Sequence, residues 1–338
     1  LSNTIWYRRW GGIGDVLMSL NSIPAVRKAN PNSLIIYQTS PWIKELMGSL
    51  MLGLGIDAVV TQEKIADGPV IPLTGYPFHE GYPDKPMRKH LVEYYAETMG
   101  VVPDFNAIRL QTPEDPYPRH LYATIHTQAG WSNYKNWPIS RWNEIKDRFQ
   151  KLGLFVVQIG GVDDAQLCKA DHYANNGDFN HNLATMAHSV IHCGPDSWTN
   201  HATNIIWSEK GKTSGVIVWG ATQSSAAGYK HNHNLSTVPP CQPCFLDDER
   251  PDRPATRGLC RLPVLPQVDK LDHKCLLDLS VDVVWGAIQS QLAAIRLGKA
   301  SSLQFEAPKW IPLIGNPNHD MKVGPCSCGA WHTEGEVL

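Results

Sequence analysis

Along the chain, apolar positions switch between two periods. Asn3 to Trp10 is dense in β-branched and aromatic residues, which predicts a strand. Gly11, Gly12 and Gly14 follow, then Asp15, then Val16, Leu17, Leu20, Ile23 and Val26 at helical spacing. Ser33–Gln38 predicts a second strand, Trp42–Leu50 a helix and Ala58–Thr61 a short strand. A Pro/Gly-rich stretch from Gly68 to Met87 then carries Tyr76, His79, Glu80 and Tyr82, a length typical of binding loops. His90–Met99 resumes as a helix that buries Leu91, Tyr94, Tyr95 and Met99. From Val102 to Pro118 the pattern fades among Pro103, Pro113, Pro116 and Pro118, as expected of an interdomain linker.

A second alternating unit follows. Strands are predicted at Leu121–His126, Leu154–Ile159, Val190–Cys193 and Val216–Trp219. Helices are predicted at Ser140–Leu152 with a Ser cap, Leu183–His188, Trp198–Trp207 and Ser280–Leu297. Two such halves predict an α/β protein with two parallel-sheet, Rossmann-like domains facing across a cleft. The expected limits are 1–115 for the first domain, 116–290 for the second and 291–338 for a helix end and tail. Ligands in such sheets sit at the carboxyl ends of strands. The loops of interest are therefore Gly11–Asp15, Thr127–Trp137, Gly160–Asp164, Gly194–His201 and Gly220–Tyr229.

Composition narrows the classes. With 338 residues, 42% hydrophobic and 18% charged, the chain can bury a core. A formal charge of −2 gives no global attraction for nucleic acid or an anionic membrane. No run has the apolar length of a membrane span and no secretory leader opens the sequence, so a cytoplasmic protein is expected. Its eight cysteines then read as reduced thiols or metal ligands rather than disulfides.

The candidate loops share a chemistry. The first offers Asp15, the second Lys135, the third Asp163 and Asp164, and the fourth Asp196, Ser197, Thr199 and His201. A lysine beside a turn and helix N-termini suits a diphosphate, and acids at strand ends suit sugar or ribose hydroxyls. Each has a blander use: Asp15 or Asp196 as a helix cap, Lys135 as a solvated charge, His201 as a satisfied helix histidine. Their convergence on strand ends favours a site. The first loop is neither a P-loop nor a dinucleotide fingerprint, since it lacks Lys-Ser/Thr and G-x-G-x-x-G.

The cysteines form a separate pattern. Cys241-x2-Cys244 with Cys260 and Cys275 has the make-up of a tetrahedral thiolate site, which suits zinc and iron alike. The segment between is crowded with Pro, Asp and Arg from Asp247 to Pro254, and a structural metal would supply the cross-link it lacks. Cys168 and Cys193 read as buried residues of a helix and a strand. Cys326, Cys328 and His332 are too few for a second site, and their tail reads as loosely structured.

Over residues 1–290 the chain resembles glycosyltransferase family 9, the heptosyltransferases of the GT-B fold. The resemblance rests on Gly12-Ile13-Gly14-Asp15-Val16-Leu17, on Lys135-Asn136-Trp137-Pro138 with Trp142, and on Gly160-Gly161-Val162-Asp163-Asp164. It continues through Gly194-Pro195-Asp196-Ser197 with His201 and Trp219-Gly220-Ala221-Thr222. Two departures are Trp198, where the family usually has Gly, and Asp163 or Asp164, where it usually has Glu. The resemblance implies an inverting transfer from a nucleotide-diphosphate sugar, ADP-heptose first, to an acceptor hydroxyl on a protein, saccharide or nucleic acid, without a catalytic metal. It implies Asp15 as general base, Lys135 on the donor phosphates, and Asp196 and His201 lining the donor pocket. Gly12, Gly14, Gly160, Asp163, Asp164, Ser197 and Thr222 complete the donor site by the same implication. Related protein heptosyltransferases carry a four-cysteine insertion that holds iron, matching residues 238–276, and homo-oligomers are compatible with the family. Other classes in view are a GT-B nucleotide-sugar epimerase or hydrolase, and a non-catalytic module that binds nucleic acid through its cysteine cluster. Asp247, Asp248, Glu249 and Asp252 balance the arginines there and weigh against the last.

Overall fold

The computed structural model describes residues 4–73, 87–111, 114–130, 133–174, 178–208, 211–238, 242 and 274–296. The first half runs β1 (Thr4–Arg8), α1 (Ile13–Leu20), α2 (Ile23–Ala29), β2 (Leu34–Gln38), α3 (Pro41–Gly53), β3 (Ala58–Val60), β4 (Val70–Pro72) and α4 (Leu91–Thr98). Its strands form a parallel sheet in the order β3-β2-β1-β4, with Trp6 of β1 opposite Ile36 and Val70. Trp6 and Tyr7 are buried, as expected of a central parallel strand covered on both faces. The single helix expected after the glycine loop is two helices. The Asn21 side chain donates to the Leu17 carbonyl at 3.0 Å and also reaches that of Met18, closing α1 before Pro24 sets the start of α2. Strand β4 lies inside the stretch read as one loop, of which Tyr76, His79, Glu80 and Tyr82 fall outside the described residues.

The second half runs β5 (Leu110–Gln111), β6 (Tyr122–His126), α5 (Ile139–Lys151), β7 (Phe155–Ile159), β8 (His172–Ala174), α6 (Phe179–His188), β9 (Ile191–Pro195), α7 (Trp198–Ile205) and β10 (Ile206–Ser208). It continues with β11 (Gly211–Lys212), β12 (Gly215–Val218), α8 (Ser224–Ala227), β13 (His233–Leu235), α9 (Lys274–Leu277) and α10 (Val281–Arg296). Six strands form a parallel sheet in the order β13-β12-β9-β6-β7-β8. β5 comes from the segment read as linker and pairs in parallel with β10, so that segment carries structure of its own. The chain is an α/β protein of two parallel-sheet halves, and no described helix is long and apolar enough to cross a membrane.

Two local expectations change. Pro138, not a serine, precedes α5, and its carbonyl accepts from Arg141 and Trp142. Cys168 lies exposed in a turn rather than in a helix, whereas Cys193 is buried on β9. Helix α10 packs on the second half: Trp285 lies against Phe149 of α5 at 5.5 Å, and Gln291 lies 3.0 Å from the ring nitrogen of His233.

The core of the first sheet does not stop at the domain's edge. Val16, Leu17 and Leu20 of α1 belong to one buried cluster with Ala202 and Ile205 of α7, Leu183 of α6 and Ile217 of β12. The two halves therefore share apolar packing, and they meet where α1 meets α7.

Candidate active site

α1 is apolar apart from Asp15 and Ser19, and its buried face follows from the spacing of Val16, Leu17 and Leu20. Gly12 is its N-cap, with open space around its α-carbon. Asp15 is therefore not the cap. It sits in the first turn, where the helix dipole favours a carboxylate. The Arg9 guanidinium holds it at 2.8 Å and also donates to the Tyr95 hydroxyl at 3.1 Å, so the carboxylate is aimed by a side chain itself fixed on α4.

Facing α1 is α7, whose Thr199, Asn200, His201, Thr203 and Asn204 are all buried. The approach is close because Gly14 has no side chain. A Cβ there would come 2.5 Å from His201 Cδ2 and 3.6 Å from the Trp198 α-carbon. Farther along, the Asn204 amide donates to Asn21 Oδ1 at 3.2 Å, a buried polar link between the halves. Gly14 thus sets the distance at which the two domains meet.

The second half supplies charge at the ends of β6, β9 and β12. Lys135 Nζ lies 2.7 Å from Asp196 Oδ2, and the Thr222 hydroxyl donates to the same oxygen. Asp196, buried at 2% exposure, is no helix cap, because Ser197 takes that place and accepts from the Thr199 N–H. The Lys135 loop is braced on both sides. Ala221 N donates to the Tyr134 carbonyl at 3.0 Å, and Asn136 Oδ1 accepts from Ala129 N at 2.6 Å. Trp137 is buried against Trp142 and donates its indole N–H to Leu276 and Leu279 carbonyls, both at 3.1 Å. From the far side, the Gln242 amide donates to the Gly220 carbonyl at 2.8 Å and the Thr222 carbonyl at 2.6 Å.

A second polar unit joins three strand ends. His126, at the end of β6, places Nε2 3.0 Å from Asp164 Oδ2 and Nδ1 2.8 Å from Ser197 Oγ. Asp164 also accepts from Gly161 N at 2.9 Å, which closes the turn after β7. Gly160 has φ +138°, and a Cβ there would strike Asp164 Oδ2 and His126, so the turn requires glycine. Asp163, next along, is exposed.

Burial decides the protonation of His201. It is pushed down to about 4, against the pull of the Asp196 and Asp15 charges and with a further push from Lys135. It is therefore neutral near pH 7, with Nδ1 3.1 Å from the Tyr229 hydroxyl. Tyr229 is raised by burial and then by Asp196, so it keeps its proton. His90, the N-cap of α4, packs on Tyr229 at 5.2 Å and is held down to about 3 by burial and by His201. His201 thus lies in the field of Asp15 from one half and of Asp196 and Lys135 from the other.

Sequence reasoning singled out Asp15, Lys135, Asp196, Ser197, His201 and Thr222, and the structure groups these around the α1–α7 contact. It passed over Arg9, His126, Tyr229 and Gln242. Only His126 had a readable signal, as a polar residue closing a predicted strand. The described residues contain no group of three metal-ligating side chains; Cys241, Cys244 and Cys260 lie outside them, as do Cys326, Cys328 and His332.

No family model and no curated protein matches the sequence. Solved structures do match in fold. A family 9 glycosyl transferase from Veillonella parvula aligns with TM-score 0.61 and 17% identity, covering 87% of this chain and 98% of its own. The iron-containing dodecameric glycosyltransferase TibC of enterotoxigenic E. coli aligns with TM-score 0.64 and 15% identity, over 87% and 78%. The E. coli ADP-heptose LPS heptosyltransferase II gives 0.59 and 13%, over 87% and 99%. The chain has the fold of family 9 glycosyltransferases. The α1–α7 contact has Asp15 on its first-half side and the Lys135–Asp196 pair on its second-half side.

Proposed function

We propose that the protein is an inverting glycosyltransferase that moves a sugar from a nucleotide-diphosphate donor to an acceptor hydroxyl. The supporting observation is the close approach of Gly14, the neighbour of Asp15, to His201 of α7, the helix that follows the Asp196 paired with Lys135. Asp15, aimed by Arg9, takes the proton of the acceptor hydroxyl as its oxygen attacks the anomeric carbon. The bond to the diphosphate breaks on the opposite face, its electron pair leaves with the nucleotide, and the centre inverts. Lys135 meets the charge that grows on the leaving diphosphate. His201 and Ser197 stay neutral and offer hydrogen bonds, which suits a sugar hydroxyl or a phosphate oxygen. ADP-heptose is the donor tried first, since TibC has been solved with ADP-D-β-D-heptose and E. coli WaaC with an ADP-fluoroheptose.

A structural metal on Cys241, Cys244, Cys260 and Cys275 is part of the proposal. Thr237 donates to the Cys275 carbonyl at 3.0 Å, so the two ends of the insertion lie side by side. Gln242, inside the C-x-x-C knuckle, is anchored on the Thr222 loop. Four thiolates would fit a cross-linking ion here, zinc or iron, and what it would supply is rigidity behind the Gly220–Thr222 loop.

The test is a panel of ADP-, UDP- and GDP-sugars followed by thermal shift and product analysis, with metal content measured on the same sample. Asp15→Asn is expected to melt like the parent and to lose about 10²–10⁴-fold in transfer. A parent protein that binds no nucleotide sugar, or an Asp15→Asn variant with undiminished turnover, removes this reading.

A further inference from the structure

His126 closes β6 and is almost fully enclosed, at 2% exposure. Two glycines make room for it. A Cβ at Gly160 would lie 2.8 Å from its Cδ2, and one at Gly194 would lie 3.2 Å from its Cβ. The two ring nitrogens have partners of different kinds. Nε2 lies 3.0 Å from Asp164 Oδ2, while Nδ1 lies 2.8 Å from Ser197 Oγ and 3.4 Å from Thr199 Oγ1. An ionised carboxylate only accepts, which assigns a hydrogen to Nε2.

Nδ1 is left with two states, and they turn the Ser197 hydroxyl in opposite directions. With Nδ1 bare, the ring accepts from Ser197, whose single hydrogen is then committed inward. The serine oxygen in turn accepts the Thr199 N–H at 3.4 Å and lies 2.9 Å from the Thr199 hydroxyl. With Nδ1 protonated, the ring donates to Ser197, and the serine hydrogen is released for a ligand. Ser197 is half-buried at the start of α7, and the residue before it is the Asp196 held by Lys135.

Among the described residues, the titratable groups that face the ring are Asp164, from the turn after β7, and His192, on β9. His192 is held down to about 3, chiefly by burial and next by His126, so it is uncharged near pH 7. α7 brings the Ser197 and Thr199 hydroxyls and the Trp198 ring, at 5.9 Å. An anion arriving beside Ser197 favours the second state, because it attracts the charged ring and accepts the hydrogen that Ser197 releases.

We propose that His126 and Asp164 are a positioning pair: as the donor's diphosphate arrives, Nδ1 takes up one proton from solvent and the Ser197 hydroxyl turns to donate to a phosphate oxygen. That the anion is a diphosphate rests on the glycosyltransferase reading; the two-way hydroxyl rests on the geometry of the three strand ends. Asp164 serves the donor through the imidazole and not by touching it. By linkage, proton and diphosphate each tighten the binding of the other.

The full chain is titrated by calorimetry with ADP-heptose, or with whichever nucleotide sugar of the panel it binds, in buffers of different ionisation enthalpy from pH 6.5 to pH 9. Such a diphosphate is esterified at both ends and keeps a constant charge over that range. The parent is expected to take up as much as one proton per donor bound and to lose affinity as pH rises, by up to about tenfold per unit. His126→Leu, checked by its melting curve, is expected to flatten that profile and to weaken binding about tenfold at pH 6.5. His126→Asn, which keeps an N–H donor near the place of Nδ1 but does not titrate, is expected to restore most of the affinity with the profile still flat. Binding without proton uptake, or a His126→Leu variant that keeps the parent's slope, overturns this inference alone. A chain that binds no nucleotide sugar at any pH overturns it together with the glycosyltransferase reading.

Discussion

The two helices that join the domains are buried by opposite means. α1 buries Val16, Leu17, Met18 and Leu20 and is held by apolar contact. α7 is equally enclosed yet carries Thr199, Asn200, His201, Thr203 and Asn204, each with a hydrogen-bond partner. Asn200 donates to the Ala227 carbonyl and accepts from Asn232. Asn204 donates to Asn21 and Phe105 and accepts from Lys212. Apolar burial is forgiving in direction, whereas a polar network holds only in one arrangement. The pairing of the two suggests a division of labour: α1 supplies adhesion, and α7 supplies register for Asp196, Ser197 and His201.

That division can be broken in three places. Gly14→Val forces the helices apart at His201 and is expected to cost about 10²-fold in transfer, as misplacement by an ångström does. Retained activity would show that the close approach is dispensable. Leu17→Ala, within α1, is expected to lower stability by about 2–5 kcal/mol in urea titrations, with full-strength donor binding in the molecules that stay folded. Asn204→Leu, within α7, takes one partner each from Asn21 Oδ1 and Lys212 and is expected to cost about 1–3 kcal/mol. Unlike Leu17→Ala, it should also weaken donor binding; equal effects on donor binding would erase the distinction.

Taken group by group and per unit of pH, the smallest effect is acid. His201 is held down to about 4, and His90, His192 and His231 to about 3, all chiefly by burial. Each is neutral when folded, while the unfolded chain takes up the proton below its ordinary value of 6.5. Their contribution is intact above about pH 6.5 and is lost as pH falls toward the folded values, at about 1.4 kcal/mol per pH unit for each group. Urea midpoints measured from pH 7 to pH 5 check the sign; a flat profile would place these imidazoles in contact with water.

The same contrast explains what could be read from the sequence. β1, the glycine loop and α1 stood out because apolar periodicity reports apolar burial. The central strands of the second sheet stood out for the same reason, as runs such as Phe155–Ile159 and Gly215–Val218 show. β4, β5, β8 and β10 are two or three residues long and exist through pairing with distant strands, so no local pattern announces them. In the site, Asp15, Lys135 and Asp196 were legible as polar residues at strand ends. Gln242 was not, because its partners are the carbonyls of Gly220 and Thr222, and backbone atoms leave no mark on composition. Nor was Tyr229, which acts through a histidine 28 positions away.

Where domains touch through interlocked side chains, any change of angle must wait for those chains to disengage. At Gly14 the first domain presents a bare peptide edge to an imidazole ring already seated on Tyr229. Nothing there has to unlatch. The seam is bare at Gly14, beside Asp15, and is pinned farther along the helix pair by the Asn21–Asn204 hydrogen bond.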